Sequence, residues 1–243
     1  MAYLARQHIL HDGATAHITW RCHNMEWLLR DDTMKRLYYN LLLQYKDRYG
    51  VSIYSYNFMD NHIHLTVKIV SLKLFSRFMQ VVNSLFARAV NKKYDRRGQV
   101  VMDRFKSSLI QSDSYLMCVM YYNDLNITRC KKRLHPKDYK WCSYGFYAFG
   151  RDDPLITPSP SYLALGGSTE DRMMTYRNMI DETIRHDGLI RQDYSNMLFV
   201  GDAEWVSKRH EEVRLIQRQR RLCRASEQQQ AGEGEAAVSC LSP

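Results

Sequence analysis

The sequence predicts an α+β fold, an antiparallel sheet with helices packed on one face, followed by a C-terminal helical extension. Three observations predict it. Segments 51–59 and 62–70 have strand length and composition and meet at Asp60-Asn61, a pair that tolerates the positive φ of a tight hairpin. Segments 31–50 and 71–91 repeat apolar residues at helical spacing. Further strand and helix signals complete the order β-α-β-β-α-β-α, which suits an antiparallel sheet covered by helices.

The elements follow in chain order. Residues 14–22 read as a strand, with Ile18 and Trp20 alternating against His17, Thr19 and Arg21. In 31–50, Met34, Leu37, Tyr38, Leu41, Leu42 and Tyr45 form a stripe, and Gly50 is the stop. In 71–91, Leu74, Phe75, Phe78, Val82, Leu85, Phe86 and Ala89 form the core side. Residues 99–110 read as a strand on which Arg104 and Lys106 share a face, and 112–126 as a helix capped by Ser112 or Asp113. Segment 131–153 is basic and aromatic, and Pro154, Pro158 and Pro160 mark a boundary. A domain at 1–150 is therefore expected, then a helical extension at 151–224 with helices at 170–187 and 202–224. The Gln-, Glu-, Gly-, Ala- and Ser-rich tail at 225–243 reads as disordered.

The 243 residues carry 35 Lys and Arg against 26 Asp and Glu, a formal charge of +9. That balance favours a polyanionic partner such as nucleic acid. The six cysteines form no Cys-x-x-Cys pair, which argues against a zinc knuckle or a disulfide framework. No apolar run has the length of a membrane span and no signal peptide is evident, so a cytoplasmic, nucleoid-associated protein is expected.

The chemistry centres on Phe58-Met59-Asp60-Asn61-His62-Ile63-His64-Leu65-Thr66-Val67. Residues two apart on a strand face the same way. His62 and His64 therefore project together as a pair of divalent-metal ligands, while Ile63, Leu65 and Val67 face the core. About sixty residues on, Tyr115, Val119, Tyr122 and Asn126 fall at steps of four, three and four on one helix face. If that face leans over the histidines, a metal has two imidazoles and the Asn126 amide oxygen, and polarises a phosphodiester for attack by Tyr122. Tyr121 lies about 100° around the helix, on a face that packs or meets solvent.

These motifs resemble the single-tyrosine HUH transposases, in particular the REP-associated tyrosine transposases of the IS200-like group. Met59-Asp60-Asn61-His62-Ile63-His64-Leu65 is similar to the family's Met-Pro-Asn-His-Val-His-Leu. Gly98 to Ser107, ending Arg104-Phe105-Lys106-Ser107, resembles its Arg-Phe-Lys-Ser strand. Tyr122-Asn123-Asp124-Leu125-Asn126-Ile127-Thr128-Arg129-Cys130 is similar to its Tyr-Ile-x-x-Asn-Pro-Val-Arg-Ala, and Asp138 to Tyr144 to its Tyr-Pro-Trp-Ser-Ser-Tyr. The departures are Asp60 and Ile127 in place of proline and Asn123 in place of isoleucine.

The resemblance implies a ferredoxin-like sheet and an enzyme that cleaves and rejoins single-stranded DNA at imperfect hairpins. It implies Tyr122 as nucleophile through a 5′-phosphotyrosine, with His62, His64 and Asn126 holding Mg²⁺ or Mn²⁺. Arg21, Arg104, Lys106 and Arg129 are the expected DNA-binding residues, and Lys131, Lys132, Arg133 and the Arg-rich run 214–221 extend the basic footprint. Trp141, Tyr144 and Tyr147 either stack unpaired bases or pack the core. The phosphotyrosine keeps the phosphodiester energy, so no nucleotide cofactor is expected. Monomers and swapped dimers both occur in the family, which leaves a homodimer open. One rival is a metal-independent phosphodiesterase built on His17-Ile18-Thr19 and His64-Leu65-Thr66, and only this rival requires His17 for chemistry. Another is a non-catalytic DNA-binding relative.

Overall fold

Strand β1 (Thr15–Arg21) lies at the centre of the sheet, antiparallel to both β3 (His62–Ile69) and β4 (Lys106–Ile110). The structure is a computed structural model that describes residues 6–130, 133–186 and 194–239. Strand β2 (Val51–Phe58) pairs antiparallel with β3, and β5 (Phe199–Val200) runs parallel to β4, giving the order β2-β3-β1-β4-β5. The helices are α1 (Asp32–Lys46), α2 (Leu72–Lys93), α3 (Asp113–Asp124), α4 (Asn126–Arg129), α5 (Tyr144–Phe149), α6 (Pro160–Leu163), α7 (Thr169–Arg185) and α8 (Ala203–Ser239). The first four strands with α1 and α2 make the ferredoxin-like arrangement expected.

Strand parity divides the sheet. Ala16, Ile18 and Trp20 on β1 and Ile63, Leu65 and Val67 on β3 are buried on one face, against α1 and α2. There Trp20 Nε1 donates to the Tyr38 hydroxyl at 2.7 Å and the Trp20 ring meets Phe86 at 5.8 Å. Asp31 caps α1 by accepting from the Thr33 amide, and Gly50 ends the following turn at φ 62°. The opposite face carries His17, Thr19 and Arg21 in register with Thr66, His64 and His62.

Helix α3 packs on that second face, so "helices on one face" describes α1 and α2 but not the tyrosine helix. The reason is polar. Asn123, where the family pattern has isoleucine, is fully buried, and its Nδ2 donates to Ser55 Oγ at 3.0 Å and Thr66 Oγ1 at 2.9 Å. Asn57 Nδ2 donates to the Asn123 carbonyl at 2.6 Å. These bonds tie α3 to β2 and β3 through the Asn57 and Asn123 amide nitrogens, while the amide oxygens of both residues are buried without a partner. Asp124, buried between Ser143 and Tyr176, receives a hydroxyl from each, and burial pushes its carboxyl up to about 7.

Four expectations change. The strand read at 99–110 begins at Lys106, because β1 advances three residues from Thr19 to Cys22 while its partner advances five, from Lys106 back to Val101. The two extra residues form a bulge that re-aims the chain, so Arg104 sits in the bulge and does not alternate with Lys106 on a strand. The helix read at 112–126 stops at Asp124, Leu125 turns at ψ −4°, and Asn126 opens the short α4. Strand β5, two residues long, is too short to leave a periodicity. Helix α8 runs to Ser239 through the segment read as a disordered tail; Ala, Gln and Glu there favour helix. The chain beyond residue 150 packs back through Tyr176 on Asp124 and Phe199 on Leu109.

Asp60, where the family pattern has proline, explains itself by a buried ion pair. Its Oδ1 lies 2.8 Å from Lys35 Nζ, with the two side chains 7% and 3% exposed, and its carbonyl accepts from the Leu29 amide at 2.9 Å. Asp60→Ala leaves the lysine charge buried alone and should cost about 3–5 kcal/mol, read as a lowered urea midpoint. Adding Lys35→Met should recover most of that loss; a double variant as unstable as the single one would contradict the pairing.

Candidate active site

All eight residues singled out by sequence line one cleft of about 530 Å³. Strand β1 contributes Arg21, β3 His62 and His64, the bulge Arg104, β4 Lys106, α3 Tyr122, and α4 Asn126 and Arg129.

The two imidazoles are 5.0 Å apart between ring centres and nearly perpendicular, at 78°. His62 Nδ1 lies 2.7 Å from Asn61 Oδ1. That oxygen only accepts, so Nδ1 carries the ring proton and Nε2 the lone pair. His64 Nδ1 lies 3.1 Å from His17 Nε2, while His64 Nε2 is buried without a hydrogen-bond partner. Burial, and secondarily the Arg21 charge, pushes His62 down to about 4 against an opposing pull from Asp60. Burial, then His62 and His17, pushes His64 well below the ordinary imidazole range. Both rings are therefore neutral at pH 7, the state that ligates a cation.

The Tyr122 ring stands edge-on to His64 and to His17, each at 5.8 Å between centres, beneath the Arg129 guanidinium at 3.9 Å. Its hydroxyl lies 3.0 Å from Ser195 Oγ. Tyr121 points elsewhere: it packs on Tyr176 at 5.1 Å, and its hydroxyl meets Met179 Sδ at 2.7 Å. Asn126 Oδ1 accepts from Arg129 at 3.0 Å, and its Nδ2 is buried without a partner. Among the described residues no group of three or more His, Cys, Asp or Glu is placed to hold a metal. The Asn126 amide oxygen, with two lone pairs, lines the same cleft as the two histidines. The orphaned His64 Nε2 and this oxygen fit a divalent cation.

Arg21 and Arg104 are exposed at the cleft, and Lys106 donates to Asn196 Oδ1 at 2.7 Å. Arg133 is exposed, whereas Lys131 and Lys132 lie outside the described residues. Trp141, Tyr144 and Tyr147 are buried, and Trp141 Nε1 donates to Asp32 at 2.7 Å, so all three pack the interior. Arg214, Arg218, Arg220 and Arg221 are exposed on α8.

The cleft also holds Thr19, Asp103, Ser195 and Asn196, which the sequence reading did not assign. Thr19 shares the strand parity of Arg21, and that signal was sufficient to find it. Nothing local marks Ser195 or Asn196, which arrive from some seventy residues beyond Tyr122.

Comparison with known proteins gives one family match and one structural likeness. Residues 11–124 match the family model described as "Transposase IS200 like". This stretch, a little under half of the chain, is similar to the IS200-like transposases. A solved structure of a REP-associated tyrosine transposase bound to a REP hairpin is similar to the chain at a TM-score of 0.53 and 15% identity, covering 65% of this chain and 93% of that one. At that identity the likeness shows the transposase fold. No curated protein matches the chain. The family match ends at Asp124, yet Asn126, Arg129, Ser195 and Asn196 also line the cleft. Among the described residues, no helix is long and apolar enough to cross a membrane.

Proposed function

We propose that this protein is a metal-dependent endonuclease and strand transferase acting on single-stranded DNA beside hairpins. One observation carries the reading: Tyr122 lies in the same cleft as His62, His64 and Asn126, with Arg21, Arg104 and Lys106 around it. The Tyr122 oxygen attacks the phosphorus, the bond to the 3′-oxygen breaks, and that oxygen takes up a proton. The products are a 5′-phosphotyrosine and a free 3′-hydroxyl. Attack by another 3′-hydroxyl reverses the step and joins the strands. His62, His64 and Asn126 would hold Mg²⁺ or Mn²⁺. When bound, that ion polarises the phosphate and eases loss of the phenol proton, which matters because free tyrosine has a pKa of about 10. Arg129, stacked on Tyr122, places a positive charge beside the phosphate.

The metal-independent phosphodiesterase reading is disfavoured by placement. His17 is 1% exposed and does not line the cleft, and Thr66 is fully buried, holding Asn123. Of the two His-x-Thr triplets only Thr19 and His64 line the cleft, so the second histidine and threonine this chemistry needs are not presented to a substrate.

DNA affinity should fall steeply with salt, since phosphate contacts release counterions. Arg104→Ala and Lys106→Ala should each make the slope of log affinity against log salt shallower by about one unit, with little change in sequence preference. The measurement is a binding titration on a hairpin with a single-stranded flank across a salt series. Unchanged slopes in both variants would place the DNA path away from this rim.

A further inference from the structure

We infer that His17 is a positioning residue for the candidate metal site: it fixes the tautomer and plane of His64, so that the His64 Nε2 lone pair faces the cleft. The inference deepens the proposed function and rests on it for the metal, while its tautomer part stands alone.

The proton positions follow from what each partner can do. The Tyr194 carbonyl only accepts, so His17 Nδ1, 3.4 Å away, carries a proton. A proton on His17 Nε2 as well would point at His64 Nδ1 and leave a His64 N–H buried on Nε2 with no acceptor, so the arrangement that fits keeps the lone pair on His17 Nε2. His64 Nδ1, 3.1 Å from that atom, must be the donor. A neutral imidazole has one ring proton, and with it on Nδ1 only the lone pair remains on Nε2. That nitrogen is the one buried without a partner on a residue lining the cleft. The reverse arrangement sets a His17 lone pair against the carbonyl lone pairs and buries a His64 N–H with no acceptor, an expensive outcome.

The two rings are parallel within 2° at 5.3 Å between centres, so the contact sets orientation as well as proton position. His17 is 1% exposed and does not line the cleft; its hydrogen bond toward the cleft is the one to His64. Ser108 Oγ lies 2.9 Å from the Tyr194 carbonyl that begins the chain and 2.5 Å from that of Met197, and its one proton serves either. The relay thus ties the orientation of a candidate ligand on β3 to a backbone group far outside the family match. Metal-ligating histidines are commonly oriented by such a partner, whose loss costs about 10–100-fold in metal affinity.

The test uses the full chain free of metal. A long-range ¹H–¹⁵N correlation spectrum of the histidine rings, with His64 identified by its loss in His64→Gln, should show the His64 proton on Nδ1. A native spectrum with the proton on Nε2 overturns the inference without any His17 variant. His17→Phe should release the tautomer and weaken Mn²⁺ binding by about 10–100-fold, read from the electron paramagnetic resonance signal of free Mn²⁺. His17→Gln offers both an acceptor and a donor, and should restore tautomer and affinity toward native. A folded His17→Phe with native tautomer and native Mn²⁺ affinity overturns the positioning role. If the native chain shows the Nδ1 proton yet binds no Mn²⁺, the tautomer assignment holds and the metal reading fails.

Discussion

Tyr122→Phe should abolish covalent attachment to DNA, with cleavage falling by at least about a thousandfold because the attacking oxygen is gone. Hairpin binding should change little, since the substitution removes one hydroxyl and keeps the ring against His64 and Arg129. Tyr121→Phe should still cleave: its hydroxyl meets Met179 between α3 and α7, outside the cleft. The two tyrosines are adjacent in sequence and belong to different surfaces. Denaturing gels of both variants with one labelled hairpin substrate check the pair. An adduct in Tyr122→Phe that is lost in Tyr121→Phe would reverse the assignment.

The second large effect concerns the metal. His62→Ala and His64→Ala should each remove cleavage, and EDTA should do the same to the native protein, with Mn²⁺ restoring it. Both imidazoles are held neutral by burial, so neither must lose a proton to bind a cation near neutral pH. Undiminished cleavage in EDTA would remove the metal from the account. Chelation is the discriminating test against the phosphodiesterase, because His17→Ala no longer separates the two readings. His17 is bonded to His64, so its loss disturbs the cleft under either mechanism.

Much of this site was legible in the sequence, and the reason is periodicity. A period of two put His62 and His64 together on β3, and a period of 3.6 chose Tyr122 over Tyr121. Both rules are local, and both elements are long enough to express them. The two core helices were visible for the same reason; the hairpin at Asp60-Asn61 forms, but without the positive φ expected of that pair. What was not legible depends on contacts between distant segments. Arg104 left the strand because β1 and its partner differ by two residues in register, which no single strand displays. The face that α3 covers was decided by Asn123 finding Ser55 and Thr66. By sequence alone Asn123 was only an unexplained polar residue beside the nucleophile. Asp60 likewise needed Lys35, 25 residues away, to become intelligible. His17 was noted as half of a rival motif, and its bond to His64 appears only when β1 and β3 pair. Ser195 and Asn196 close the cleft from beyond the family match, where no motif announced them.

The central claim is that Tyr122 cleaves a single strand through a covalent link to its 5′-phosphate. The most direct test is a denaturing gel of hairpin DNA with a single-stranded flank, labelled at its 3′ end, incubated with the full chain and Mn²⁺. The account predicts a labelled protein–DNA adduct that carries the DNA on Tyr122 by peptide mapping, disappears with EDTA, and does not form on the fully paired duplex. Cleavage with no adduct, or equal cleavage of the duplex, would contradict it.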